Sequence, residues 1–170
     1  MKISGKKGFT LIELLVVVAV IAVAVGFVAG AAASKSTSNL RKAVYAADSM
    51  LTKCRVNSMY RADPVYVGFT VEGGSIVAKY YESSEIREEK SIGNSEKIAV
   101  SYTIDGEVQT LSQDTPIYIT FARLKGGLVL VDEDGSAIDG KCTEIRFTTG
   151  NNSYIIEIIP STGNRTVKAG

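Results

Sequence analysis

From position 9 to position 33 the only polar side chains are Thr10 and Glu13. A helix rises about 1.5 Å per residue, so about 20 such residues cross the hydrocarbon of a bilayer. The stretch predicts a transmembrane helix over 9–33. Lys2, Lys6 and Lys7 precede it with no acid among them, which predicts a cytoplasmic N-terminus and an exported remainder. A polar stretch, Ser34 to Asn39, follows. Then Leu40, Val44, Ala47, Leu51 and Cys54 recur at helical spacing, with Arg41, Lys42, Asp48, Lys53 and Arg55 off the stripe. No proline appears before Pro64. The pattern predicts one helix from about 9 to 62, apolar all round at first and amphipathic later.

Beyond Pro64 the period changes to two. Val65 to Val71 and Ser75 to Tyr81 read as strands around a Glu72-Gly73-Gly74 turn. Ser83 to Glu96 is polar and charged and reads as a solvated loop. Lys97 to Ile104 and Glu107 to Leu111 flank Asp105-Gly106, a dipeptide suited to a type I′ hairpin turn. Ile117 to Ala122, Leu128 to Val131, Glu144 to Thr148, Tyr154 to Ile159 and Arg165 to Lys168 complete eight or nine expected strands. No βαβ unit appears. The expected fold is α+β: one long N-terminal helix, membrane anchor plus amphipathic stalk, packed on an antiparallel β-sheet head of one sheet or two.

Glu13 interrupts the apolar run near its cytoplasmic end. A charged side chain deep in a bilayer costs about 2.5–3.5 kcal/mol on insertion scales, so it needs either a partner or a route to the headgroups. The chain has 170 residues, a net charge of +1, no histidine and two cysteines. The absence of histidine excludes Ser-His-Asp and Cys-His catalysis and histidine-based metal sites. Two cysteines are too few for a disulfide framework.

Lys6 to Glu13, Lys-Lys-Gly-Phe-Thr-Leu-Ile-Glu, resembles the processing signature of type IV pilins and pseudopilins. That family has a basic leader ending in glycine, then phenylalanine, then glutamate as fifth residue of the mature chain, then an unbroken apolar helix. The resemblance implies cleavage by the prepilin peptidase between Gly8 and Phe9, and N-methylation of Phe9. It implies that Glu13 serves filament assembly by meeting the α-amine of Phe9 on a neighbouring subunit. It divides the chain into a leader (1–8), a transmembrane half of the helix (9–33), an amphipathic half (34–62) and a β-rich extracytoplasmic head (63–170). Losing residues 1–8 removes three lysines and no acid, leaving the mature chain at −2. Many members carry a proline part-way along the membrane helix; this chain has Gly26 and Gly30 instead. Arg55 to Val67, Ile119-Thr120-Phe121 with Gly126-Gly127, and Ile155 to Val167 with Gly163 and Arg165 are similar to the GspH/FimT group of minor pseudopilins.

Three further groups carry candidate chemistry. Asp132, Asp134 and Asp139 around Gly135 resemble a loose calcium loop without the full EF-hand spacing; the alternative is a solvated acidic turn. Cys54 and Cys142 are a candidate disulfide across 87 intervening residues, contributing about 3–4 kcal/mol by chain entropy, or else two buried thiols. Lys141, Arg146, Arg165 and Lys168 make a basic patch if they share a face, and a solvated surface otherwise.

The expected function is non-enzymatic: a subunit, expected to be minor, of a type IV pilus or a type II secretion-like pseudopilus. No cofactor is expected apart from the calcium candidate. The expected partners are other pilin or pseudopilin subunits, the prepilin peptidase and methyltransferase, an inner-membrane assembly platform and the membrane. The expected location is single-pass in the inner membrane, with an assembled form in the pilus. Two alternatives stay open: a DNA-binding pilin of an uptake pilus, and a secreted β-rich protein cut after Ala31-Ala32-Ala33.

Overall fold

Pro64 marks the change from helix to strands, because proline cannot continue an α-helix and biases the residue before it away from helical backbone. The computed structural model describes residues 11–170, and for 23–35 the backbone alone. The chain divides into two units, Met1–Ser36 and Thr37–Gly170. Helix α1 is Leu11–Tyr60. It stops two residues earlier than the expected position 62. The amide of Arg61 still bonds the Asn57 carbonyl at 2.9 Å, after which Asp63 and Pro64 lead into the first strand.

In the second unit, eleven strands form two antiparallel sheets. The first joins β1 (Val65–Glu72), β2 (Ser75–Glu82), β3 (Glu85–Asn94), β6 (Ile117–Phe121), β7 (Leu128–Val131) and β8 (Ala137–Ile138) in the order β3-β2-β1-β6-β7-β8. The second joins β4 (Ala99–Ile104), β5 (Glu107–Thr110), β9 (Cys142–Thr149), β10 (Asn152–Ile159) and β11 (Asn164–Ala169) in the order β11-β10-β9-β4-β5. The α+β expectation holds for this unit: antiparallel sheets with a helix packed on them. Of the two arrangements left open, two sheets is the one found.

The packing follows the sequence pattern. Leu40, Val44, Ala47, Leu51 and Cys54 of α1 are each fully buried, as the helical stripe requires. They share one core with Val67, Ile119 and Leu130 of the first sheet and Ile145, Phe147 and Ile156 of the second. Full burial of each aliphatic side chain of this kind contributes about 1.5–3 kcal/mol, so the stripe is a main source of the head's stability. Asp105 and Gly106 both have positive φ, 51° and 88°, which is the I′ turn their sequence calls for.

Two segments correct the sequence reading. Ser83 to Glu96 is not a loop, since β3 occupies most of it. It is the edge of its sheet, most of its side chains are exposed and Ile92 alone is buried, so it has no run of buried positions to impose an apolar alternation. Its charges suit an edge that must not pair with another chain. Strand β8 is two residues long and exposed, too short to show a period.

Candidate functional site

In the first unit, α1 opens with Glu13 in its first turn, where an acid is favoured by the positive end of the helix dipole. Every large apolar side chain from Leu11 to Val18, and then Val20 and Ile21, is exposed. Such a surface is far from what water tolerates on a finished protein, and it marks a segment that meets lipid or other chains. Gly8 and Phe9, the candidate cleavage and methylation residues, lie outside the described residues. Among the described residues no helix is long and apolar enough to cross a membrane. The expected span 9–33 lies partly outside them, since it includes 9–10 and the side chains of 23–33.

In the second unit the candidate groups separate. Cys54 and Cys142 are two free thiols, not a bridge. Cys54 faces the first sheet, with weak contacts to the Val65 and Ile119 carbonyls at 3.9 and 3.7 Å. Cys142 opens β9, opposite Ile104 of the second sheet, and contacts the Glu144 carbonyl at 3.7 Å. Burial pushes each thiol up to about 12, so both stay protonated at neutral pH.

The acidic candidates do not converge either. Asp132 caps its own turn, its Oδ1 accepting the amides of Asp134 at 3.1 Å and Ser136 at 2.8 Å. Asp139 lies beyond β8 in a groove with Asp105 and Lys141. Among the described residues no group of three or more acidic, cysteine or histidine side chains comes together to hold a metal, so the calcium loop is not formed.

The basic candidates split between two faces. Arg146 and Lys168 are both in register with Ile155, so they share one face of the second sheet. Each is paired there, Arg146 with Glu144 at 2.8 Å and Lys168 with Glu157 at 2.9 Å. Arg165, three residues from Lys168, points to the other face. Its guanidinium meets Asp48 of α1 at 2.9 Å and Thr52 at 2.8 Å. Lys141 precedes β9, and its backbone amide is held by Asp105 at 3.1 Å.

Residues 3–29 match a family model described as the Prokaryotic N-terminal methylation motif. The chain carries a prepilin-type N-terminus. The match supports a type IV pilin-like or pseudopilin subunit, processed by prepilin peptidase and assembled with other pilins. It covers the leader junction, Glu13 and much of the apolar helix, and none of the head. No curated protein and no solved structure matches the chain.

Two features of the prepilin-type chain were not singled out by the sequence. The first is a pair of arginine struts between α1 and the C-terminal strands. Arg165 is one, its side chain only 7% exposed. Arg55 is the other, donating to the Thr162 carbonyl at 2.9 Å and to Asn164 at 3.2 Å. The amphipathic pattern placed Arg55 off the apolar stripe, and Arg165 was grouped with the basic patch or solvated surface of the C-terminal strands; neither reading joined them to each other's element. The second is an aromatic cluster on the outer face of the first sheet. Tyr66 stacks on Tyr81 with centroids 4.5 Å apart, and Tyr118 packs edge-on to both. The available signal was Tyr66, Tyr81 and Tyr118 at the outward positions of three strands.

Proposed function

We propose that this chain is the precursor of a minor pilin-like subunit, of the GspH/FimT kind, of a type IV pilus or a type II secretion-like pseudopilus. The prepilin peptidase cuts between Gly8 and Phe9, and Phe9 is N-methylated. One continuous helix serves as membrane anchor and stalk, single-pass with the N-terminus cytoplasmic, and the β-rich head is extracytoplasmic. In the filament the apolar helices bundle inside, and Glu13 meets the α-amine of Phe9 of a neighbouring subunit. The role is structural and not enzymatic.

The observation that carries this reading is the methylation motif over residues 3–29 with Gly8-Phe9 at its junction. The exposed apolar surface of α1 supports it, because only lipid or like helices relieve that exposure. So does the chemistry of the junction. A buried carboxylate needs a partner, and cutting after Gly8 creates a cation of the right sign. The test is replacement of Gly8 by valine, with the mature N-terminus sequenced in wild type. A mature chain beginning at Phe9, and an uncut Gly8→Val precursor, is the expected result. A wild-type chain beginning at Ser34 would identify a secreted head, and normal leader removal in the variant would refute the prepilin reading.

A further inference from the structure

The outer face of an antiparallel sheet usually meets water, yet this one holds a second apolar cluster. Tyr66 is 2% exposed and Tyr81 8%. The loop after β7 makes this possible by folding back over the sheet. Tyr66 donates from its hydroxyl to the Glu133 carbonyl at 2.8 Å, and Ser84 to the Asp134 carbonyl at 3.1 Å. Gly135 lies flat on the Tyr66 ring, where a Cβ would come within 2.7 Å of it. The acidic turn is thus a cover for Tyr66, and it delivers the Glu133 side chain to the neighbouring surface.

Beside the cluster is a cavity of about 260 Å³ over the middle of β1. Its floor is Gly68 and Thr70, its walls Tyr81 and Tyr118, and its rim includes Glu133 and Gln113. The register places Gly68 between Lys79 of β2 and Tyr118 of β6. A Cβ on Gly68 would meet the Tyr118 ring at 2.6 Å, so this glycine is what lets the ring lie across the strand and form the wall.

The groups facing this space have unused hydrogen-bonding capacity. Tyr81 is nine-tenths buried, and its hydroxyl makes no hydrogen bond among the described residues; the same holds for the hydroxyls of Tyr118 and Thr70. Glu133 makes no ion pair among the described residues, whereas Lys79 is held by Glu72 at 2.6 Å. Burial, with Tyr118 and Tyr66 and then Glu133 and Glu72 nearby, pushes the Tyr81 hydroxyl up to about 12, so it remains a donor. Pro116 adds an apolar edge.

We infer that this pocket binds a neutral, hydroxyl-rich ring, a single pyranose. The size suits a single small ring, at the low end of the range of about 300–1,000 Å³ that ligand pockets span. Glu72 and Glu133 repel anions, and with Glu72 held by Lys79 the charge left at the rim is the single Glu133 carboxylate, which a sugar hydroxyl can hydrogen-bond. A sugar hydroxyl both donates and accepts, which matches phenols that lack a partner beside a carboxylate that lacks one. The ring's C–H face suits the Tyr118 and Pro116 surfaces.

The experiment uses the full chain in an amine-oxide detergent, which has no sugar headgroup. Saturation-transfer NMR is run with methyl glucoside, methyl galactoside, methyl mannoside and N-acetylglucosamine, and separately with putrescine as a cationic probe. Transfer to at least one pyranose is expected. Tyr81→Phe and Glu133→Gln each weaken it about tenfold, as loss of one hydrogen bond to a bound ligand does. Thermal unfolding midpoints equal to wild type in both variants show that the cluster is intact, since neither side chain makes a hydrogen bond or ion pair among the described residues. No transfer to any of the four pyranoses overturns the inference, as does transfer to putrescine alone. Equal binding by wild type and both variants places the sugar elsewhere and overturns it too.

Discussion

Replacing Arg165 by methionine removes the guanidinium that links β11 to α1 and keeps most of the side-chain stem. Four contacts are lost: Asp48 at 2.9 Å, Thr52 at 2.8 Å, the Gly163 carbonyl at 3.3 Å and the face of Phe121 at 5.4 Å. Removing one partner of a fully buried ion pair costs about 3–5 kcal/mol, mainly because the other charge is left alone. Here the guanidinium is 7% exposed but Asp48 is 29% exposed, so water reaches the orphaned carboxylate and relieves part of the penalty. The expected loss is therefore about 2–3 kcal/mol, net of the small favourable transfer of the methionine. For a domain of this size each kcal/mol lowers Tm by about 3–5 °C, so a drop of about 6–15 °C follows. The assay is thermal unfolding of the full chain in detergent, followed by near-UV circular dichroism of the tyrosines, with Asp48→Asn and the double variant beside it. A coupling of at least about 1 kcal/mol between the two positions is expected. If Arg165→Met stays within about 0.5 kcal/mol of wild type, the range typical of surface substitutions, or if the two changes are additive, the strut does not hold the strand.

Further expectations can be measured independently. Thiol labelling without reductant finds no reactive cysteine in the native chain and two in denaturant, and none in denaturant would mean a bridge. The folded thiols titrate near 12 and unfolded ones near 8.5, so stability is flat below about pH 8 and falls above it, by up to about 1.4 kcal/mol per pH unit per thiol; a urea midpoint whose loss between pH 8 and 10 is the same in Cys54→Ala would contradict this. Glu13→Gln leaves membrane insertion and leader removal normal and lowers incorporation into sheared filaments, because breaking a buried pair costs about 3–5 kcal/mol; incorporation equal to wild type would remove Glu13 from assembly.

The legible parts of the sequence were those with a buried face to impose a period. Leu40, Val44, Ala47, Leu51 and Cys54 were readable as a stripe because one side of α1 meets the core and the other does not. Strands β6 and β9 alternate for the same reason, and Asp105-Gly106 named its turn through a backbone conformation few other pairs adopt readily. Strand β3 was invisible because an edge strand that buries only Ile92 carries charges where a core strand carries valines. The struts were invisible for a different reason. Arg165 and Lys168 are both bases on one short strand, and only the register shows that one faces Asp48 and the other Glu157. The N-terminal candidates followed the opposite logic. Gly8, Phe9 and Glu13 were read from a short local motif and not from a fold, and they fall within the stretch 3–29 that the methylation-motif model matches.

The fate of the C-terminal bases bears on the nucleic-acid alternative. If Lys141, Arg146, Arg165 and Lys168 all met phosphates, the logarithm of affinity for duplex DNA would fall with that of salt at a slope of roughly −3.6, about −0.9 per contact. The geometry removes Arg165, which is buried against α1. It also neutralises Arg146 and Lys168, which share their face with Glu144 and Glu157. A phosphate approaching this face meets as many acids as bases, and the acids already occupy the donors it would need. Fluorescence anisotropy of a labelled duplex against the full chain in detergent is therefore expected to show no salt-dependent binding through this surface. Glu144→Gln with Glu157→Gln frees both bases and is expected to bring a slope of about −2 into view. A wild-type slope near −3.6 would mean that the ion pairs open for phosphate and that the uptake reading is right after all.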